Sequence, residues 1–201
     1  MKNYIYVDTE TTGIDIFADN NKSIWKKTSK EELLSISVLD ENGQCLFNSL
    51  IKPQKRTSWE VAQKINGISP DMVQNAPFFE EVKDELKLIF KNKVLVIYNW
   101  AFDCFFLGSV LGEVKAIYCC MKEFCNYYYP KIEHEVPYPK HYKLINAVKY
   151  VNPTFKYNAH DSLEDCRATR EVWYYLLQQK EINIDDHKKE FVQQYDLLNK
   201  D

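Results

Sequence analysis

A chain of 201 residues, 45% hydrophobic and 14% aromatic, supplies one sizeable core and little more. It is read as a single α/β domain with decorations. A formal net charge of -3 argues against tight, nonspecific nucleic-acid binding, but an enzyme holding a few nucleotides needs only a local positive field and metal ions.

No apolar run approaches the roughly 18 residues that span a bilayer. Met1 to Val7 reads as a strand and not as a leader, so a soluble, cytoplasmic protein with no membrane partner is expected. Residues 3–8 predict a strand feeding Asp8. Residues 14–31 read as polar and irregular, with Asp19-Asn20-Asn21 as a turn signal. Leu33 to Leu39 is a second strand, and Asp40-Glu41-Asn42-Gly43 turns it into a third, Gln44 to Ile51. Helical spacing runs from Ser58 to Ile65, and Ser69-Pro70-Asp71 offers an N-cap and first-turn proline for another helical piece. Phe79 to Phe90 predicts a longer helix with Val82, Leu86, Ile89 and Phe90 on one side. Val94 to Tyr98 is continuously apolar, as suits a strand buried on both faces. A helix from Ala101 to Leu111 and a short strand from Ala116 to Tyr118 follow. Tyr127 to Pro139, aromatic and broken by prolines, reads as a loop. Lys143 to Tyr150 is a short helix, and residues 161–179 form the clearest one, with Leu163, Cys166, Val172, Leu176 and Leu177 toward the core. A last amphipathic helix runs from Asp186 to Leu198, so the chain divides into a domain over 1–180 and a helical extension, 181–201, packed on it. A hairpin-like series of strands followed by strand–helix alternation gives a mixed sheet flanked by helices.

Three places carry chemistry. In Asp8-Thr9-Glu10-Thr11-Thr12-Gly13, residues two apart on a strand point the same way, so Asp8 and Glu10 project together. Two such carboxylates repel unless a cation sits between them, and hard divalent ions such as Mg²⁺ or Mn²⁺ prefer these oxygens. Thr11, Thr12 and Gly13 offer hydroxyls and N–H groups that suit a phosphate or a strand end. The second place is Asn99 to Leu107, where Asp103 stands in the first turns of a helix among Phe102, Phe105, Phe106 and Leu107. An acid in that company is unfavourable unless compensated, although an acid at a helix start also suits the macrodipole. The third is His160 to Thr169, with Asp165 near the start of the long helix and His160 just before it, placed as a general base would be. Read alone, it is equally a capping segment with Asp161 or Ser162 as N-cap and a surface histidine.

Together these segments resemble the DEDDh 3'→5' exonucleases, a family that includes the epsilon proofreading subunit of bacterial DNA polymerase III, ribonuclease T and oligoribonuclease. DxETTG is matched by Asp8 to Gly13, NxxFDxxFL by Asn99 to Leu107, and HxxxxD by His160 and Asp165. Lys64 to Pro70 and Ala76-Pro77-Phe78 are similar to the family's segment between the first two motifs, where histidine often stands at the place of Asn66. The sister subclass has tyrosine at the position of Asp161, which points to His160 as the base. Ile14 to Glu31 is longer than the usual connector, and Asn126 to Lys140 is embellished.

The resemblance implies a ribonuclease-H-like fold, a five-stranded mixed sheet with its second strand antiparallel. It implies two divalent cations, Mg²⁺ or Mn²⁺, held by Asp8, Glu10, Asp103 and Asp165 with Asp8 bridging. His160 would take the proton of the attacking water, and nucleoside 5'-monophosphates would leave. The expected substrate contacts are Thr9, Thr11, Thr12, Gly13, Ile68, Asn99 and Phe102. The expected substrates are single-stranded DNA or RNA 3' ends, DNA by a narrow margin, with a DNA polymerase or a second copy as protein partner. The rival is an inactive exonuclease-fold module that only binds nucleic acid or a polymerase; filled catalytic positions speak against it.

Smaller signals complete the reading. Lys22, Lys26, Lys27 and Lys30 with Phe17 and Trp25 form a strand-binding lip or a solvated loop with one anchoring tryptophan. Tyr127-Tyr128-Tyr129 packs the loop or stacks bases, and Phe191, Val192, Tyr195 and Leu198 face the domain or a partner. Cys119, Cys120, Cys125, His134 and His141 lack the usual zinc spacing, so the cysteines read as reduced, mostly buried thiols.

Overall fold

The computed structural model describes residues 4–18, 27–132 and 141–179. Its centre is a five-stranded sheet built from β1 (Tyr4–Thr11), β4 (Leu33–Asp40), β5 (Cys45–Leu50), β6 (Val94–Ile97) and β7 (Ala116–Cys119), in the spatial order β5-β4-β1-β6-β7. β4 runs antiparallel to both β1 and β5, whereas β6 and β7 run parallel to β1. This is the expected mixed sheet. The turn between β4 and β5 forms because Asp40 Oδ1 accepts from the N–H groups of Asn42 and Gln44, and Gly43 supplies the left-handed backbone, φ 85°, that closes it.

Strand alternation assigns the two faces. Tyr4 and Tyr6 of β1 join Leu39, Val96 and Tyr118 in one core layer, covered by α4 (Cys120–Tyr128), α5 (Leu144–Val151) and α6 (Ser162–Gln178) through Phe124, Val148, Val172 and Trp173. Ile5 and Val7 join Ile36, Val38 and Leu95 in the other layer, covered by α2 (Phe79–Phe90) and α3 (Trp100–Leu107) through Leu86, Phe90, Cys104 and Leu107. Full burial of one such side chain is worth about 1.5–3 kcal/mol, so both layers hold the sheet. A third, smaller cluster seats α1 (Glu60–Asn66) on Leu34 through Trp59, Ala62, Ile68 and Val73, and the Trp59 indole donates to the Ile68 carbonyl at 2.7 Å.

The structure departs from the sequence expectations in four places. Residues 14–31 are not wholly irregular: β2 (Ile16–Ala18) and β3 (Lys27–Ser29) pair antiparallel in a separate two-stranded sheet. The helix expected from Ser69 is a run of turns, with Met72 N–H donating to the Ser69 carbonyl and Ala76 N–H to that of Val73. The span is short, and Val73 is its buried anchor, too little to offset helix nucleation. The helix expected to reach Leu111 ends at Leu107 and continues as a 3₁₀ turn, Gly108–Val110. Tyr127 and Tyr128, expected in a loop, are the last turn of α4, and Tyr129–Lys131 is a 3₁₀ turn. The extension 181–201 with its helix Asp186 to Leu198, the lip lysines 22 and 26, and His134 lie outside the described residues.

Candidate active site

β1 ends between the two helical layers, and that is where the acids meet. Asp8 and Glu10 stand directly opposite Ser37 and Ser35 of β4, on the face that α6 covers. The register shifts immediately after Glu10. Asp103 arrives from the other layer on α3. It is buried, and its Oδ1 accepts from both the N–H (3.0 Å) and the hydroxyl (2.8 Å) of Thr9. Thr9 alternates away from Asp8 along β1, so it faces the layer that carries Asp103. Asp165 comes from the first turn of α6, where Oδ2 accepts from the His160 N–H at 3.0 Å.

The start of α6 is set by Asp161, whose side chain accepts from the N–H groups of Leu163 and Glu164. The capping reading of this segment therefore holds, with Asp161 as the N-cap. His160 precedes the cap in left-handed backbone, φ 68°, and is exposed. Ligand atoms of Glu10, His160 and Asp165 all lie within 4.8 Å of one another.

Electrostatics tie the four carboxylates together. Burial raises the Asp8 carboxyl well above its ordinary range, and Asp103, Asp165 and Glu10 raise it further. Burial and then Asp165 lift Glu10 to about 8, against the lowering effect of its hydrogen bond from Asn66. Burial brings Asp103 to about 7 against the opposing bonds from Thr9. Asp165 reaches about 7 by burial, opposed by the His160 N–H and reinforced by Asp161 and Asp103. The Oδ1 of Asp165 is buried and has no hydrogen-bond partner in the protein. Mutually repelling acids with an orphaned acceptor are the donor set a hard divalent ion suits, because the cation removes the repulsion and fills the acceptor.

The remaining expected contacts are distributed around this point. Ile68 is buried and, with Glu10, Asn66, Gly67, Met72, His160 and Leu163, lines a cleft of about 460 Å³ that runs on over Asn48, Ser49 and Leu50 of β5. The hydroxyl of Thr11 donates to the Gly13 carbonyl, and that of Thr12 to Glu31. These bonds make the strand-end reading of both threonines visible. Gly13 is crowded: a Cβ there would stand 2.8 Å from the Glu31 carboxyl. Asn99 immediately precedes α3, and half-buried Phe102 packs its ring on Phe106.

Sequence reasoning missed several polar residues of this neighbourhood. Asn66 donates to the Thr11 carbonyl and accepts from the Ile68 N–H. Buried Glu31 pairs with Arg56, and Glu32 accepts from the N–H groups of Gln54, Lys55 and Arg56. Ser35 and Ser37 were visible as a signal, since they alternate within an otherwise apolar strand. Cys120, Cys125 and Cys166 are buried, and among the described residues the one candidate metal cluster is Glu10, His160 and Asp165. Among the described residues no helix is long and apolar enough to cross a membrane.

Comparison with known proteins agrees with this geometry. The profile of the RNase T family, described as Exonuclease, matches residues 5–173. An uncharacterized exonuclease, CP81, of Escherichia phage 186 is 27% identical over 82% of this chain and 83% of its own. RNA exonuclease 4 of Mycosarcoma maydis is 24% identical over 85% of this chain, which spans 41% of that protein. Among solved structures, exonuclease X in complex with 5'-overhanging duplex DNA superposes with a TM-score of 0.63 at 19% identity, over 92% of this chain and 97% of the other. The nuclease domain of 3'hExo, a DEDDh family member bound to rAMP, gives 0.60 at 16% identity, over 89% and 92%. With a profile matched from β1 into α6 and the five-stranded exonuclease sheet, the chain belongs to the RNase T family of exonucleases, with the ribonuclease-H-like fold of the DEDDh members.

Proposed function

We propose that this nuclease is a metal-dependent 3'→5' exonuclease that releases nucleoside 5'-monophosphates from single-stranded 3' ends, DNA before RNA. The observation that carries the metal dependence is the buried, unpartnered Oδ1 of Asp165, set among acids whose affinity for protons is raised together. Asp8, Glu10, Asp103 and Asp165 would hold two divalent ions, Mg²⁺ or Mn²⁺. Such ions, when bound, lower the pKa of a water and stabilise charge on a leaving 3' oxygen.

His160 is the general base. It accepts the proton of the water that attacks the terminal phosphorus, and the bond from that phosphorus to the 3' oxygen breaks. A 5'-monophosphate leaves, and the 3' oxygen of the strand takes a proton from solvent to become a 3'-hydroxyl. His160 is exposed and its ring shares the cluster with Glu10 and Asp165, so it reaches the metal side of the cleft and can pass its proton to bulk water. Thr9 holds Asp103 in place through its two hydrogen bonds. Thr11, Thr12, Gly13, Ile68, Asn99 and Phe102 surround the terminal nucleotide, and residues 1–180 carry the activity. A polymerase or a second copy is the protein partner this reading favours.

An oligonucleotide labelled at either its 5' or its 3' end tests this directly. Expected is metal-dependent appearance of labelled mononucleotide first from the 3' label, and its loss with a chelator. Matched DNA and RNA substrates rank the two. Binding without hydrolysis under Mg²⁺ or Mn²⁺ would leave the inactive-module reading in its place.

A further inference from the structure

A chain of small hydroxyls lies beneath the acids. Ser35 Oγ is 2.6 Å from Ser162 Oγ, and Ser37 Oγ is 2.7 Å from the same atom. Ser37 also donates to Asn48 Oδ1 at 3.0 Å. Each hydroxyl carries one proton. Because Ser37 uses its proton on Asn48, Ser162 donates to Ser37, and Ser35 donates to Ser162. All three serines are buried.

The chain joins the site's two walls. Ser35 and Ser37 stand opposite Glu10 and Asp8 in the β1–β4 register. Ser162 is the first residue of α6, one turn before Asp165 and two residues after His160. Four residues on from Ser162, the Cys166 thiol donates toward the Tyr6 and Ser37 carbonyls. Residues three and four apart share a helix face, so Ser162, Asp165 and Cys166 form the stripe of α6 that meets the sheet. The first and last of the three grip β1 and β4, and Asp165 sits between them.

We propose that Ser162, with Ser35 and Ser37, is a positioning residue for the metal ligands. The serine seat lets α6 approach the sheet to hydroxyl contact distance, and that approach sets how far the Asp165 oxygens stand from Asp8 and Glu10. Three facts support the role. Ser35 and Ser162 also line the cleft beside Glu10 and His160. Every serine proton has an acceptor, the last being Oδ1 of exposed Asn48, so no buried hydroxyl donor is left over. On the same face of β4, one position beyond Ser37, the strand returns to apolar Leu39, so the polar pair is confined to the stretch facing the acids.

The proposal rests on the metal reading above. Its test uses the full chain, with Mn²⁺ alone as the probe in titration calorimetry and an oligonucleotide for kinetics. Outer-shell partners of metal ligands are typically worth 10–100-fold in affinity. Ser162→Ala and Ser35→Ala are expected to weaken Mn²⁺ binding about tenfold, the lower end of that range, and to lower kcat while leaving KM for the oligonucleotide in place. Leu86→Ala, in the opposite core layer, serves as the control: it lowers thermal stability and leaves Mn²⁺ affinity unchanged. Wild-type Mn²⁺ affinity in both serine variants would overturn the seat and leave the metal reading standing. So would an equal loss of affinity in Leu86→Ala, or failure of both serine variants to fold. If the wild-type chain binds no Mn²⁺, the metal reading fails and the seat falls with it.

Discussion

Asp165 divides its carboxylate between a task inside the protein and one outside it. Oδ2 fixes the His160 backbone, while buried Oδ1 has no protein partner. Since the four acids oppose one another, Asp8→Ala or Asp165→Ala is expected to abolish hydrolysis while leaving a folded chain whose metal-free melting temperature is no lower than wild type. Near wild-type turnover in either variant under Mg²⁺ would remove that acid from the ligand set. His160→Ala should lose about 10²–10⁴-fold in kcat, the usual worth of a positioned base, with Mn²⁺ affinity retained; a parallel loss of affinity in calorimetry would make His160 a ligand instead. Gly13→Ala drives a methyl group into the Glu31 carboxyl, which Thr12 and Arg56 hold. About 1–3 kcal/mol of destabilisation is expected from such overpacking, readable by denaturant titration. The acids and His160 were legible because their spacing within short segments is itself informative. Glu31 and Glu32 were not, because their partners stand 19 to 25 residues away in sequence; Ser35 and Ser37 stood out in their strand, but their partner Ser162, 125 to 127 residues on, did not, since no local pattern reports contacts at that range.

At the scale of elements, the strands of the central sheet and the two longest helices, α2 and α6, could be read because periodicity and burial agree in them. α4 was hidden. Its sequence, Cys120 to Tyr128, has no leucine repeat and ends in aromatics, and tertiary packing decides it: Phe124 stacks on Tyr128 at 5.4 Å and lies 5.3 Å from Tyr142. The helix expected at Ser69 fails for the converse reason, a good cap with too little face to bury. The knot around Glu32 is a further element-scale device, since one carboxylate fixes three successive N–H groups of the 54–56 segment to the end of β1 through Thr12. Glu32→Ala leaves those groups to water and should lower stability by about 1–3 kcal/mol. Hydrogen exchange would show faster exchange at Gln54, Lys55 and Arg56, and unchanged protection there would deny the knot its role. The lysine lip gives a prediction of its own: reversing Lys26 and Lys27 to Glu should raise KM for oligonucleotides and spare hydrolysis of a small thymidine-5'-phosphate ester. Equal loss on both substrates would assign the segment a structural role.

For the whole molecule, the raised acids make stability depend on pH. Between the ordinary carboxylate range and the values of about 7 to 8 reached by Asp103, Asp165 and Glu10, the folded chain binds more protons than the unfolded one. Stability of the metal-free protein is therefore greatest below the unfolded pKa and is lost as pH rises through the folded values. Melting curves from about pH 5 to about pH 9 in a chelator should show this fall, and Asp8→Asn should flatten it. With excess Mg²⁺ or Mn²⁺ the slope should reverse, since ions compete with protons for the same oxygens. A metal-free protein that grows more stable toward alkaline pH would contradict the arrangement of charges.

The left-handed backbone at His160 has a consequence for how the protein tolerates change. Histidine adopts that conformation uncommonly, and glycine adopts it freely. His160→Gly should therefore relax the segment at once, offset in part by the larger entropy of the unfolded chain, and emerge no less stable than wild type while inactive. A library screened on thermal persistence alone would accept glycine at the position where the proposed mechanism requires histidine. Stability and activity thus pull position 160 in opposite directions, and only a screen that reads turnover will keep the residue now there.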